Sequence, residues 1–126
     1  MKNIFLVIIL LTVLSCGESE NKPDKLLPKV KMVEMLIDIH ILESKIQNLR
    51  LKKDSSQLLF NSFEREVFKN NNVDKEVYLK SFEYYLNDVD AMEEIYEVVV
   101  DSLNFLEKSL KEKIEISEEE MEGELK

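Results

Sequence analysis

Apolar residues recur at helical spacing along most of the chain, and the longest such pattern begins near residue 29. Two apolar rows run along this segment, which spans residues 29–50. The rows are Val30, Val33, Ile37 and Ile41, and Met32, Met35, Ile39, Leu42, Ile46 and Leu49. Pro28 suits the first turn of a helix, because its missing N–H would have no helical partner there. Since apolar residues cover most of the circumference, we expect this helix to be packed on more than one side.

A polar break at residues 52–56 separates this helix from a second one, which is predicted to run to about residue 69. Asp54, followed three positions later by Gln57, is the pattern of an N-cap residue and its partner. The apolar face of this helix is predicted to contain Phe60, Phe63 and Val67. Three asparagines at positions 70–72 predict its end, because asparagine tolerates the left-handed backbone conformation found there.

The third helix is predicted to begin after Asp74, whose side chain can cap the first turn. Val73 and Tyr78 have the spacing of a hydrophobic staple around this cap. The predicted buried stripe consists of Tyr78, Phe82, Tyr85 and Leu86. Only the short break Asn87-Asp88 follows. We therefore expect the third and fourth helices to turn back and pack against each other and against the first.

The fourth helix carries apolar residues at alternating spacings of four and three, in the order Met92, Tyr96, Val99, Leu103, Leu106 and Leu110. This spacing is found both in a coiled-coil seam and in a helix that faces the core of a bundle. We prefer the bundle interpretation for residues 92–103. Beyond Leu110 glutamate dominates the sequence, so little apolar surface can be buried. We expect a frayed helix or a disordered tail there.

Glycine and proline are nearly absent from the region that holds these four patterns. The chain has two glycines and two prolines, and none of them lies within residues 29–122. This composition excludes a Gly-rich phosphate loop and glycine-dependent hairpin turns. The predicted fold class is all-α, a small bundle of about four helices with a long last helix and an acidic tail. We place the helical domain at residues 28–110 and the acidic tail at residues 111–126.

The first sixteen residues have the pattern of a bacterial export signal. Lys2 precedes an unbroken apolar run over residues 4–11, and the small residue Ser15 stands directly before Cys16. Such a run is too short to span a membrane stably. A cysteine directly after the cleavage site resembles the lipobox of bacterial lipoproteins, in which that cysteine is lipidated. We expect a signal peptide at residues 1–15, lipidation at Cys16 and a flexible tether over residues 16–27.

A chance cysteine after an ordinary signal peptide is the alternative. Leu14 favours this alternative, since it is larger than the residue usually found two positions before the lipidated cysteine. The distance of Cys16 from the apolar run, and its being the only cysteine, favour lipidation. A single cysteine also excludes an intramolecular disulfide, so the fold must be stable without one.

The chain is strongly acidic, with a formal net charge of −9 that becomes −10 once the signal with Lys2 is removed. A surface of this charge repels nucleic acid and anionic lipid. We therefore exclude nucleic-acid partners. A lipid anchor, at about 0.8 kcal/mol per buried CH₂, can still hold such a protein on a membrane against the repulsion.

The only histidine, His40, is the first candidate for metal or catalytic chemistry. On a helix it can meet Glu43 three positions later, whereas Asp38 points about 200° away from it. Two ligands from one helix are too few for a closed zinc site, and the chain has no second histidine. We expect no metal and no cofactor, and we interpret His40 and Glu43 as a hydrogen-bonded polar pair.

Two further chemical hypotheses concern serine and tyrosine side chains. Ser44 lies one turn after His40, but both residues sit in mid-helix, where no oxyanion hole forms. Tyr78, Tyr84 and Tyr85 can stack on a sugar ring, although such residues more often line a small core. We therefore expect no enzymatic activity.

The order and spacing of several segments resemble those of a known family. Pro28 and residues 32–43 form the first segment, and residues 63–68, 73–78, 81–85, 95–96 and 99–103 follow it. Together they resemble the family called domain of unknown function 4296 over about residues 28–103. The resemblance implies a small helical lipoprotein of a diderm bacterium, and it supplies no catalytic residues to transfer.

These patterns favour a membrane-anchored envelope lipoprotein that acts as a non-catalytic interaction or adaptor module for another envelope protein. The alternative is a holdase-like periplasmic chaperone whose helices hold unfolded outer-membrane clients. We expect the protein in the cell envelope of a diderm bacterium, anchored in the outer membrane, with the leaflet left open. An exposed apolar groove would favour a chaperone or a specific partner, and a closed core with a charged surface would favour a passive adaptor.

Overall fold

The computed structural model describes residues 22–124, with side chains up to Glu118. Four helices follow one another in this part of the chain. They are α1, Lys29–Asn48; α2, Lys53–Asn70; α3, Lys75–Leu86; and α4, Val89–Glu124. No strand occurs among the described residues. The fold is therefore the predicted all-α bundle with a long last helix.

α1 is the central helix of the bundle. It contacts each of the other three helices and buries Met32, Met35, Leu36, Leu42 and Ile46. The predicted packing of this helix on more than one side is confirmed. Val30, which belongs to one of the predicted apolar rows, is 72% exposed, because it lies in the first turn at the edge of the contact with α4.

The best-buried part of the core lies where α4 meets α1. A row of three residues on α4, Ala91, Ile95 and Val99, is at most 4% exposed. The predicted seam is displaced from this row: Met92, Tyr96 and Leu103 are only partly buried, and Leu106 and Leu110 are exposed. The seam was misplaced because alanine, with its small side chain, gives little apolar signal in the sequence. Val99 is the position that both rows share.

α3 covers the core with Tyr78, Ser81 and Tyr85. The predicted cap is confirmed, because the Asp74 side chain accepts a hydrogen bond from the backbone N–H of Glu76 at 2.8 Å. Leu86, predicted to be in the buried stripe, is 53% exposed because α3 ends at this residue. The contacts of α3 and α4 with each other and with α1 confirm the predicted turn between them.

The connection between α1 and α2 differs from the prediction at both helix ends. α1 ends at Asn48, two residues early, because Arg50 adopts a left-handed backbone conformation with φ 49°. The predicted Asp54 cap of α2 is wrong, since the helix already begins at Lys53. Asp54 lies instead in the first turn, where a carboxylate interacts favourably with the helix dipole. Gln57, its predicted partner, donates a hydrogen bond to the side chain of Asn61.

The segment before α1 is fixed by two side chains of α3, an arrangement that we call the Leu27 clamp. The fully buried Ser81 Oγ accepts a hydrogen bond from the Leu27 N–H at 2.9 Å. The Tyr85 hydroxyl donates to the Leu27 carbonyl at 2.8 Å. The first half of the predicted tether, residues 16–21, lies outside the described residues. Leu26 and Leu27 at its end pack against the core instead of extending freely.

α4 continues as a helix through the glutamate-rich region to Glu124, where a frayed helix or a disordered tail was predicted. We call residues 104–118 the α4 extension. Every side chain in it except that of Ser109 is exposed. The ion pair between Glu107 and Lys111, at 2.6 Å, has the i,i+4 spacing that supports an unpacked helix. As expected, this region buries little apolar surface, but it is nevertheless helical.

Candidate binding groove

An open apolar groove runs between the second half of α1 and α2. Its floor contains Ile41, Leu42 and Ile46 from α1, and Leu59, Phe63 and Val67 from α2. Charged side chains at its edges include Asp38, Lys45 and Glu66. The groove has a volume of about 740 Å³, and Phe63 on its floor is 48% exposed to solvent. Such a lining suits a row of apolar side chains better than a polar metabolite.

The groove is open because α2 packs chiefly on one neighbour, α1. Phe68 is the one buried residue of α2 and belongs to the core. Phe63 precedes it by five positions, which places the two side chains about 140° apart around the helix. Phe63 therefore cannot face the core together with Phe68. Phe63 and Val67, which were predicted to share an apolar face of α2, both line the groove, and along this face Phe60 and Val67 are partly buried whereas Phe63 is exposed.

Asn71 closes one end of the groove. Its side-chain amide donates hydrogen bonds to Asp38 Oδ2 at 2.8 Å and to the Val67 carbonyl at 3.0 Å. Its Oδ1 accepts a hydrogen bond from Lys31 Nζ at 3.0 Å. This network joins α1 to Asn71, the C-cap residue directly after α2. It fixes the spacing of the two helices at one end of the groove, and the short α1–α2 connection fixes it at the other.

The α4 extension, together with Leu103 directly before it, presents a second apolar surface, which we call the apolar stripe. Its members are Leu103, Leu106, Leu110 and Ile114. At 100° per residue they fall within an arc of about 80° on one face of the helix. Leu103 is partly buried at the edge of the core, whereas Leu110 and Ile114 are 50% and 55% exposed. The stripe thus begins at the bundle and continues into solvent.

Charge is distributed unevenly around these two surfaces. A basic patch at the α1–α2 connection consists of Lys45, Arg50, Lys52 and Lys53, all exposed, although the chain as a whole has a net charge of −9. Residues 112–124, at the end of α4, contain seven glutamates and one lysine. The end of α4 and the basic patch therefore have opposite charge.

The predicted polar pair forms, with His40 Nδ1 and Glu43 Oε2 at 3.2 Å. Both side chains are partly exposed on α1, and the His40 ring lies 6.3 Å from that of Tyr96. Asp38 is engaged by Asn71 instead. Among the side chains up to Glu118, no group of three or more His, Cys, Asp or Glu residues is placed to hold a metal ion. The pair is thus a surface hydrogen bond with no further ligand-type group beside it.

The aromatic residues of α3 are packed mainly against other aromatic rings. The Tyr78 ring stacks on Phe82 with centroids 6.0 Å apart and meets Phe68 edge-on at 5.4 Å. Burial raises the pKa of Tyr78 to about 12, and nearby acidic groups add to the shift. Burial also raises the pKa of Tyr85, which makes an edge-on contact with Tyr84 at 5.6 Å. The buried rings of Tyr78 and Tyr85 do not form an open platform for a sugar.

Cys16 and the predicted signal peptide, residues 1–15, lie outside the described residues. Lipidation and export therefore stay predictions. Within residues 22–124, none of the helices is long and apolar enough to cross a membrane.

Comparison with protein-family models identifies the family. The model described as a domain of unknown function, DUF4296, matches residues 23–109. The chain belongs to this family. The match covers the Leu27 clamp, the groove and the start of the apolar stripe, and it confirms the resemblance found in the sequence. No curated protein and no solved structure matches the chain.

Most apolar residues of this groove belong to the predicted apolar rows of α1 and α2, but the groove itself is not predicted by the sequence pattern. The spacing of Phe63 and Phe68 could have indicated an exposed aromatic side chain on α2, because two residues five positions apart cannot share one helix face. Ser81 carried another, since a small polar residue inside an apolar stripe often marks a buried hydrogen bond. For Asn71 the sequence predicts only a helix end, because its bonds across to α1 depend on tertiary structure.

Proposed function

We propose that this protein is a membrane-anchored envelope lipoprotein whose helical domain binds a partner protein through the α1–α2 groove. The observation that carries the proposal is the groove floor, where Phe63 is 48% exposed among other apolar side chains. Contiguous apolar surface that faces water is characteristic of a binding site. This feature favours a specific partner over a passive adaptor with a fully charged surface.

A non-catalytic role is supported by the arrangement of the described polar side chains, which do not come together at one site. His40 reaches Glu43 and no second acidic side chain, and Asp38 is bonded to Asn71. The groove floor is apolar, so its surface offers no nucleophile and base within hydrogen-bond distance of each other. The chemistry of the groove is that of contact between apolar side chains.

Membrane anchoring is supported by the lipobox-like pattern that ends at Cys16. Leu26 and Leu27, both partly buried, are the first described residues that pack against the core. About ten tether residues would then separate the anchor from the bundle, with a root-mean-square reach of about 17 Å. The domain would therefore lie close to the membrane surface, and we place it at the outer membrane of a diderm bacterium without assigning a leaflet.

A holdase-like chaperone is the second candidate, and the exposed apolar stripe on α4 favours it because it adds a second surface for unfolded clients. The shape of the groove favours the specific partner. The groove extends over residues 38–49, the end of α1 and its C-cap residue, about 17 Å, which is the length of three helical turns. It is closed at one end by the Asn71 network. These bounds suit one helix better than a variety of extended chains.

The test is affinity purification of the tagged full-length chain from the detergent-solubilised envelope of its native bacterium. Wild type is compared with Phe63→Glu and with Leu79→Glu, a control because Leu79 on α3 is similarly exposed, at 52%. We expect a small, reproducible set of partners that is lost about tenfold with Phe63→Glu, because a charge on the groove floor would be buried by the partner. The Leu79→Glu variant should recover the same set as wild type.

Two other results would change the assignment. Recovery of many outer-membrane proteins in small and variable amounts would favour the holdase. Equal recovery of every protein by all three variants would contradict a binding role for the groove. Thermal melts of each variant, followed by circular dichroism, check that Phe63→Glu leaves the bundle folded.

A further inference from the structure

The connection between α1 and α2 carries a local excess of positive charge. Residues 44–53 contain the whole basic patch, Lys45, Arg50, Lys52 and Lys53, and no acidic residue, in a chain whose formal net charge is −9. All four side chains are exposed. Among the side chains that the structure describes, none of the four is in an ion pair, whereas lysines elsewhere on α1, α3 and α4 pair with glutamates. The charges of the basic patch are therefore available to an anionic partner.

Two exposed leucines lie between these basic side chains. Leu49 and Leu51 stand on either side of Arg50 in the sequence and are 56% and 44% exposed. Leu49 borders the groove, whereas Leu51 does not line it. We call the basic patch together with these two leucines the basic tip. Apolar side chains enter the interface of a bilayer, and lysine and arginine beside them are attracted to anionic head groups. This combination fits a negatively charged membrane surface.

The basic tip forms the end of a helical hairpin. Asn71, directly after α2, is hydrogen-bonded to Lys31 and Asp38 in the first half of α1. α2 therefore runs back along α1, and residues 49–52 reverse the chain at the opposite end. Arg50, with its left-handed backbone conformation, lies in this turn. The end of a hairpin is convex, and a convex surface fits a flat bilayer better than it fits a small ligand.

We infer that the basic tip binds the surface of a bilayer that contains anionic phospholipids. Leu49 and Leu51 enter the interface, and the basic patch contacts the phosphate groups. The negative charge of the whole chain opposes this contact only weakly, because charges more than about 8 Å away are largely screened at physiological ionic strength. The nearest acidic residues in the sequence are Glu43 and Asp54, so residues 43–54 have four basic side chains against two acidic ones.

This inference goes beyond the proposed function and does not depend on what occupies the groove. In the anchored protein that we propose, ten residues lie between Cys16 and Leu27. Fully extended, they span at most about 35 Å. α1 has 20 residues and is about 30 Å long. The basic tip, at the end of α1 far from Leu27, can therefore reach the bilayer that holds the anchor. Contact there would hold the open groove beside the membrane surface.

The test is sedimentation of residues 22–126, which contain every described helix, with lipid vesicles. We expect binding to an equal mixture of phosphatidylcholine and phosphatidylglycerol but not to phosphatidylcholine alone. Lys52→Gln with Lys53→Gln should lower the partition coefficient about 25-fold, because each basic residue near an anionic surface contributes about fivefold. Lys108→Gln with Lys113→Gln, the matched control at exposed positions of α4, changes the net charge equally and should lower it less than about twofold.

A second pair of variants tests the apolar part of the contact. Leu51→Gln should lower the partition coefficient about tenfold, because the leucine side chain leaves water when it enters the interface. Leu79→Gln is the control on α3, where the leucine is 52% exposed, and should leave the coefficient unchanged. Phe63→Ala on the groove floor should also leave it unchanged, which separates this surface from the groove. Thermal melts followed by circular dichroism check that every variant is folded.

Several outcomes would overturn the inference. One is the absence of wild-type binding to the phosphatidylglycerol vesicles, and another is equal loss with both pairs of lysine variants. Equal binding to phosphatidylcholine alone would also contradict it. Retention of the wild type on immobilised polyglutamate, without binding to vesicles, would assign the basic tip to an acidic protein instead of a membrane. If vesicle binding fails while Phe63→Glu still removes an envelope protein, the inference fails and the proposed function stands.

Discussion

The contact between α4 and α1 can be tested by replacing Ile95, which is 1% exposed, with alanine. The change removes three buried carbons, worth about 2.4 kcal/mol at about 0.8 kcal/mol each. A cavity among close-packed neighbours adds to this cost, so we expect Ile95→Ala to lower the free energy of unfolding by about 3–4 kcal/mol. For a domain of this size that is a large part of the total stability.

Urea unfolding of residues 22–126, followed by helical circular dichroism, measures the effect. With a slope of about 1–2 kcal/mol per molar urea, the midpoint should fall by about 1.5–4 M. Val98→Ala is the matched control on the same helix, because Val98 is 51% exposed, and it should change stability by less than about 1 kcal/mol. Equal midpoints for Ile95→Ala and Val98→Ala would refute the packing of α4 described above.

Three further predictions concern the clamp, a buried phenol and the anchor. Tyr85→Phe removes the hydrogen bond to the Leu27 carbonyl and should lower the free energy of unfolding by about 1 kcal/mol, with faster amide hydrogen exchange just before α1; unchanged exchange would argue against the clamp. The folded-state pKa of Tyr78 is about 12 against an ordinary value of 10.0, so the fold favours the neutral phenol. The stabilisation by the neutral phenol is complete below pH 10 and is lost as pH rises toward 12. Between pH 10 and 12 the urea midpoint of Tyr78→Phe should therefore fall less than the urea midpoint of wild type. A parallel decline would show that Tyr78 is not responsible. Cys16→Ala should abolish metabolic labelling by a fatty-acid analogue, and equal labelling of the variant and wild type would exclude lipidation at this residue.

The helices themselves could be predicted from the sequence because their signals are local. The spacing of apolar residues in α1, the asparagine run at positions 70–72 and the Asp74 cap each act within a few residues of the chain. Such features depend little on what the rest of the molecule does. The number of helices and the turn between α3 and α4 followed from them.

Burial was harder to predict, because it depends on which neighbours a helix meets. Ala91 and Ile95 on α4 are more deeply buried than Met92 and Tyr96, which corresponds to a rotation of the buried face by about 70°. Phe63 is exposed because α2 packs chiefly on α1, a fact of tertiary contact that periodicity does not contain. The groove exists for that same reason, so the sequence could not locate it.

Site-specific photocrosslinking in living cells tests the role of the groove most directly. A benzoylphenylalanine introduced at position 63 of the full-length chain would place the reactive group on the groove floor, and one at position 79 serves as the control on α3. We predict a discrete crosslinked product from position 63 that is absent from position 79. No product from position 63, or the same products from both positions, would contradict a binding role for the groove.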